Sequence, residues 1–281
     1  MQLSILCPTS DCVLDWRAAY ELLSDALKGA DLQTRALPWT ALGDPEALPA
    51  ITCLTWGYHL QPARWVELLR PRIDNAMLAN PARSLIWNSD KVYLKQLARS
   101  VPIVPTHFVS RLDEKTVAML RTRFETETLV AKPRWGAGAH GLTLLREGAL
   151  VPPLRDVLVQ PMLTSIPDEG EVSLIYFDGR FSHAVRKRPA SGDLRVQSEF
   201  GGSVEDFAAP DALVQLGLQA IEAAPDALVY ARVDVVRGND GSWQVIELEA
   251  IEPELFLAFA PDSGRALGQA LRRFFALDRS Q

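Results

Sequence analysis

Residues 129–145 read LVAKPRWGAGAHGLTLL, and within them Gly136-Ala137-Gly138-Ala139-His140-Gly141 spells G-x-G-x-x-G. Alone, that pattern marks a dinucleotide-binding turn. There the first glycine follows a strand directly, the third opens a helix, and an acidic residue ends the next strand about 20 residues on. The context here is different. Lys132-Pro133-Arg134-Trp135 separates the strand from the first glycine, and the segment after Gly141 is soon broken at Val151-Pro152-Pro153. The next strand, VLVQP, ends in glutamine and proline. Another reading fits these residues: an apolar strand ends in a lysine locked by proline, and a glycine-rich loop follows. Backbone N–H groups of such a loop cradle phosphate oxygens while the lysine neutralises them. The residue that classifies the loop is Lys132.

Upstream, LSILC reads as a buried strand and DWRAAYELLSDALKGA as an amphipathic helix. Trp16, Tyr20, Leu23 and Leu27 recur at helical spacing, and Gly29 is its stop. AITCLTWGYH reads as a second apolar strand, and PARWVELLR as a helix with proline at its start. Alternating strands and helices over the first 80 residues predict a small α/β unit with a parallel sheet. At IWNSDKVYLKQLARSVPIVPTHFV, Asn88 or Ser89 can cap a helix from about Asp90 to Arg99, which Pro102 and Pro105 forbid to continue. Lys91 then lies in a first helical turn, where the helix dipole disfavours a cation. It is either a surface lysine or the holder of a phosphate.

Downstream, EVSLIYFDGRFSHAVRKR reads as a hairpin turning at Asp178-Gly179, followed by the loop PASGDLRVQSEFGGS and the helix PDALVQLGLQAIEAA. A second hairpin, ALVYARVDVVRGNDGSWQVIELEAI, turns at Gly238–Gly241, and SGRALGQALRRFFAL is a last helix. With Asn239-Asp240 as a two-residue loop, Asp234 lies opposite Val245, Arg232 opposite Glu247 and Tyr230 opposite Glu249. Arg232, Asp234, Glu247 and Glu249 then share one face, and Val233, Val235, Ile246 and Leu248 the core face. A loop one residue longer or shorter inverts that pairing. Such a face is either a solvated charged surface or a cation site. Three carboxylates beside one arginine repel one another, and hard oxygen ligands suit Mg²⁺. No histidine or cysteine lies close in sequence, which disfavours zinc.

The bulk composition limits the function classes. The 281 residues carry a net charge of −6, with 48% hydrophobic and 23% charged residues, as in ordinary globular domains. The sequence pI of about 5.3 gives no basic surface for nucleic acid or anionic membrane. Three cysteines, Cys7, Cys12 and Cys53, show no C-x-x-C spacing, which fits a reducing, cytoplasmic compartment. No stretch reaches the roughly 18 uncharged apolar residues of a membrane span. The four histidines, His59, His107, His140 and His183, are scattered and take no catalytic role in this reading.

In order along residues 85–260, NSDKVYLKQLARSVPIVPTHFV, LVAKPRWGAGAHG, VLVQPML, GEVSLIYFDGRFSHAVRKRP, GDLRVQSEFGGS, ARVDVV and IELEAIEP resemble the ATP-grasp enzymes. The branch they resemble holds prokaryotic glutathione synthetases, RimK-type glutamate ligases and D-cycloserine synthetase, with D-alanine–D-alanine ligases more distant. The resemblance implies an α/β (α+β) ATP-grasp fold. An N-terminal α/β domain (1–87) would precede a central subdomain carrying a glycine-rich flap (88–163) and a C-terminal subdomain carrying a metal site (164–281), with ATP between the last two. It implies an ADP-forming ligase that joins a small amino-acid-like carboxylate to an amine through an acyl phosphate, or an intramolecular cyclase of the cycloserine type. A nucleotide-binding module without turnover is a second class, and an NAD-dependent oxidoreductase, supported only by the G-x-G-x-x-G, is a third.

By position, Lys91 and Lys132 resemble the two lysines on the ATP phosphates, and Gly136, Gly138 and Gly141 the flap. Gln160, Pro161, Met162 and Leu163 resemble the adenine-contacting hinge, and Glu171 the residue on the ribose hydroxyls. Asp234, Glu247 and Glu249 resemble the Mg²⁺ ligands, for two ions, with Mn²⁺ as a substitute. Arg195 and Arg232 resemble arginines that hold the transferred phosphoryl group, and Lys187 reaches a phosphate. Two departures stand out. Glu249 replaces the asparagine of many relatives. Glu252 and Glu254 replace small residues and a glycine, and either shape an amine pocket or form a surface turn. TWGYH is expected near the substrate. The partners implied are small molecules, with neither nucleic acid nor membrane, and a homodimer is the default assembly.

Overall fold

The computed structural model describes residues 2–10, 12, 15–138, 140–190, 201–259 and 262–277. The chain opens with β1 (Gln2–Cys7), α1 (Arg17–Lys28), β2 (Gln33–Pro38), β3 (Ala50–Ile51), α2 (Pro62–Leu69), β4 (Leu78–Ala79) and α3 (Ala82–Ser89). The four strands form a parallel sheet in the order β2-β1-β3-β4. The expected second strand is only Ala50–Ile51, with a turn from Thr52 to Leu60 in place of the rest. β2 gives no sequence signal because Gln33, Thr34 and Arg35 break the apolar pattern of an edge strand.

The helix expected over Asp90–Arg99 is also redistributed. α3 runs through Asn88 and Ser89. Asp90 is extended and caps a short 3₁₀ turn (Lys91–Tyr93) by accepting a bond from the Val92 N–H, and α4 spans Leu94–Leu97. Asn88 is therefore no cap.

A second, antiparallel sheet follows in the order β5-β8-β6-β7. It holds β5 (His107–Arg111), β6 (Leu129–Pro133), β7 (Thr143–Leu145) and β8 (Arg155–Pro161), with α5 (Glu114–Phe124) packed on one face. Period-2 alternation sends Leu129 and Ala131 of β6, and Val157 and Val159 of β8, into the core with α5. Lys132 emerges on the other face.

The third sheet, order β11-β10-β9-β12-β13, follows α6 (Ile166–Glu169) and is antiparallel throughout. Its strands are β9 (Glu171–Phe177), β10 (Arg180–Arg188), β11 (Ser203–Asp206), β12 (Tyr230–Arg237) and β13 (Trp243–Glu249), with α7 (Asp211–Glu222) inserted before β12. α7 covers one face, where Gly217 leaves room for the Tyr176 ring.

The last helix, α8 (Ser263–Leu277), returns to the start of the chain. Gly264 sits so close to Ala26 of α1, and Gly268 to Ala30 just beyond it, that a Cβ on either glycine would collide. Leu267, Leu271 and Phe275 share a core with Leu23 and Leu27 of α1 and with Ile175 and Phe177 of β9. Among the described residues no helix is long and apolar enough to cross a membrane.

The turn between β12 and β13 corrects the expected register. Gly238 N–H bonds to the Ser242 carbonyl and Gly241 takes a φ of +77°, so the loop has three residues, Asn239–Gly241. That single insertion would have put the acids on opposite faces. A bulge between Asp234 and Val235, opposite Ile246, restores the parity. Arg232 therefore pairs with Glu249 and Asp234 with Glu247. Beyond the bulge, Val245 joins the core of the third sheet, whereas Ile246 turns to Val104, Leu163 and Val236.

Candidate active site

The floor of the site is one face of β9, β10, β12 and β13. Lys187 pairs with Glu171, and Asp234 lies between Ser173 and Glu247. Such a row of charges is stable only if each finds a partner. The Arg232 guanidinium grips Asp234 through Nε to Oδ1 and a second nitrogen to Oδ2, both at 3.0 Å, and also donates to Glu249. Lys187 donates to Glu171 and lies 3.4 Å from Asp234, which also accepts from Ser173. Lys91 donates to Glu247 at 2.6 Å and to the Gly136 carbonyl at 2.8 Å.

These pairings set the charge states. Burial would raise the Asp234 carboxyl, but Arg232 and Lys187 outweigh it and hold it well below the carboxylate range. Burial is likewise overcome at Glu247 by Lys91 and Lys132, and its pKa is lowered. Burial and the neighbouring acids push Glu249 up to about 7 despite Arg232. Burial, then Glu249, raises Glu252 well above its ordinary value. Single oxygens of Asp234, Glu247 and Glu249 come within 4.8 Å of one another. Three acids held together against their mutual repulsion, which raises Glu249, fit a divalent cation bound by hard oxygen ligands.

β13 is the outermost strand of its sheet, so its free edge carries unpaired backbone groups. The segment before β5 covers that edge. Val245 exchanges backbone bonds with Pro102 and Val104, and the Tyr93 hydroxyl bonds both polar groups of Leu248. Asn88 donates to the Leu248 carbonyl and accepts from the Ala250 N–H, bracketing Glu249. Asn80 accepts from Val229 N–H and donates to the Tyr230 and Ala250 carbonyls, while Thr52 bonds the Tyr230 hydroxyl and the Ile251 carbonyl. The first sheet is thus docked onto the strands that carry the acids. None of these four polar residues is visible as a site residue in sequence, because each acts on backbone more than 100 positions away.

Above the floor stands the strap from Lys132 to Gly141. Its base is tied to the corner at Asp90: the Lys91 N–H bonds the Arg134 carbonyl, and the Arg134 side chain pairs with Asp90. Trp135 packs on the cluster around Trp65 and Tyr58, and His140 lies against His59 with ring centroids 5.9 Å apart. Gly138 and Gly141 adopt φ of +58° and +76°, and at Gly141 a Cβ would strike the Pro133 ring. The four residues KPRW that separated this loop from a dinucleotide turn are its anchor. Lys132 itself makes no hydrogen bond or ion pair among the described residues. Burial lowers its pKa, and Glu247, Glu171 and Asp234 only partly oppose this.

Of the expected site residues, Lys91, Lys132, Gly136, Glu171, Lys187, Arg232, Asp234, Glu247 and Glu249 converge. Gly138 and Gly141 lie farther out on the strap and are exposed. Gln160–Leu163 close β8. The Met162 N–H bonds the Thr128 carbonyl, its carbonyl accepts from Asn239 in the β12–β13 turn, and Gln160 donates to Thr106. Glu171, expected on a ribose, is held by Lys187 in this structure. Arg195 lies outside the described residues. Glu254 is exposed, whereas the loop carries Glu252 inward.

No family model matches the chain. It is 31% identical over 243 residues to a cycloserine biosynthesis protein of Streptomyces lavendulae, covering 77% of this chain and 79% of that protein. It is 30% identical over 240 residues to the glutathione synthetase of Prochlorococcus marinus, covering 76% and 73%. The crystal structure of a D-cycloserine synthetase superposes with a TM-score of 0.79 over 98% of this chain and all of that one, at 24% identity.

Proposed function

The chain belongs to the ATP-grasp ligases, ATP-dependent enzymes that form C–N bonds, and from that premise we propose that its substrate is a small amino-acid-like carboxylate. The carboxylate is activated as an acyl phosphate and passed to an amine, with release of ADP and phosphate. Asp234, Glu247 and Glu249 would hold Mg²⁺, two ions in this reading. When bound, ATP supplies the phosphoryl group and the metal spreads its negative charge. The chain's own residues supply position and countercharge. Lys132, with no hydrogen-bond or ion-pair partner among the described residues, is available to meet a phosphate. Lys91 links the strap to Glu247, so that closure of the strap and the state of the acids are coupled. Arg232 and Lys187, each gripped by two carboxylates, offer donors in fixed directions, and Arg195 is assigned a phosphoryl contact by resemblance. Trp135 and His140 seat the strap on the first sheet's loops, which keeps water from the reacting atoms.

The observation that carries the reading is the meeting of three carboxylates within 4.8 Å with a lysine that lacks a partner among the described residues. It is tested by ADP release with Mg²⁺ over a matrix of amino acids and amines. Release is expected only when a carboxylate and a nucleophile are both present; release indifferent to both would end the proposal. Similarity to a cycloserine biosynthesis protein favours a second reading, in which carboxylate and amine belong to one molecule and a ring closes. The product mass separates ring closure from joining.

A further inference from the structure

Every acid of the site floor has a protein cation. Glu247 has Lys91, Glu171 has Lys187, Glu249 has Arg232, and Asp234 has both Arg232 and Lys187. Glu252, on the loop that leaves β13, has none among the described residues, and its Oε2 is buried without a hydrogen-bond partner. Burying a carboxylate with nothing to receive it is costly, so such a group points to a partner that arrives with a ligand.

The metal is not that partner. The acids whose oxygens gather within 4.8 Å are Asp234, Glu247 and Glu249, and Glu252 is not among them. Lys91 and Arg232 both feel its charge, but each already serves other carboxylates. Facing the loop is the turn that carries Tyr58 and His59. Tyr58 is buried and, after burial itself, is influenced most by Glu252. His59 is held neutral by burial, His140 and Lys91, and its Nδ1 is also buried without a partner. Two orphaned polar atoms, Glu252 Oε2 and His59 Nδ1, therefore lie buried on this loop and on the turn that faces it. With Nδ1 unprotonated His59 offers an acceptor, and a small cation with several N–H donors would satisfy it while drawing the Glu252 carboxyl into its ionised form.

We propose that Glu252 receives the ammonium group of the substrate whose carboxylate is activated, so that the enzyme selects amino acids over their 2-hydroxy analogues. This rests on the ligase reading. Pro253 and the buried Leu255 and Phe256 hold the loop in place. His183 braces it from β10, its Nε2 within 3.0 Å of the Leu255 carbonyl.

The test uses the whole enzyme with ATP, Mg²⁺ and hydroxylamine, which traps an activated carboxyl group as a hydroxamate. The probes are the common amino acids in both configurations, each beside its 2-hydroxy acid. For the amino acid that works best, wild type is expected to favour it over the hydroxy acid by about 100-fold in kcat/KM, the usual worth of a charge-assisted hydrogen bond. In Glu252→Gln the preference should fall to about 10-fold or less, through KM more than kcat. ADP with Mg²⁺ should still raise the melting temperature of that variant. If it does not, Glu252→Asp replaces it, and the preference should survive there with a higher KM. An unchanged preference in Glu252→Gln, or a loss of kcat at constant KM, overturns the assignment. Wild type that forms no hydroxamate and releases no ADP with any pair overturns the ligase reading, and this inference with it.

Discussion

Lys91 and Lys132 both sense the charge of Glu247, yet they sit in opposite electrostatic states. On Lys91 burial is outweighed by Glu247 and the acids behind it, and its pKa is raised. On Lys132 burial prevails and the pKa is lowered. The contrast extends to the regions they belong to. Around Lys91 the charges of the floor are paired and the free edge of β13 is stapled by side chains. Around Lys132 the strap stands with Gly138 and Gly141 exposed, and its lysine has no ion-pair partner among the described residues. The acids of the floor are matched by cations of the chain itself, whereas the lysine of the strap is not matched among the described residues.

The largest effect is expected from the floor. Glu247→Gln removes one of three gathered acids and should lower ADP release by about 10³-fold, the range seen when a preorganised electrostatic group is lost. Activity within a few-fold of wild type would separate the acids from the chemistry.

The two lysines sharpen the comparison. Lys132→Met should reduce ADP release by about 100-fold while leaving the melting temperature unchanged or higher, since it removes an unmatched cation from a desolvated place. Lys91→Met should destabilise the fold by about 1–3 kcal/mol, below the range for fully buried pairs because the two side chains are 14% and 29% exposed. Equal losses of stability in the two variants, measured by chemical denaturation, would erase the distinction.

Next comes the staple. Asn88→Ala leaves the Leu248 carbonyl and Ala250 N–H without that partner, and should cost about 2 kcal/mol. The Mg²⁺ concentration for half-maximal ADP release should rise several-fold as Glu249 loosens. An unaltered Mg²⁺ requirement would limit Asn88 to stability.

The smallest effect concerns the strap tip. His59 is lowered from its ordinary 6.5 to about 4, by burial first. Between those values the unfolded chain binds the proton that the folded chain refuses, so stability is present above pH 6.5 and lost as pH falls toward 4. Denaturation midpoints of His59→Gln should show a shallower loss over that window than wild type. Parallel curves would mean that His59 is not desolvated beneath His140.

Much of the floor was legible because it is local. The DG and GNDG turns announce both hairpins, and the period of 2 through ARVDVV and VIELE places the acids together. Even the register succeeded only in parity: a loop one residue longer and a one-residue bulge cancelled, so the face was right while every pair was wrong. Asn80, Asn88, Tyr93 and Thr52 were not legible. They are uncharged residues whose partners are backbone groups of distant strands, and no periodicity marks them. The strands β2 and β4 carry no sequence signal, because one has polar residues at a sheet edge and the other has two residues.

By itself, the sequence determined the two hairpins of the third sheet, the glycine strap with its lysine, and the face on which Arg232, Asp234, Glu247 and Glu249 emerge. Each of these follows from residues within one turn or one hairpin of each other. Tertiary structure alone decided which cation serves which acid, why Lys132 and Glu252 are left over, and how α8 comes back to α1. Those outcomes depend on which side chains are brought within about 4 Å across the fold and stripped of water, where charge pairing becomes strong enough to choose partners.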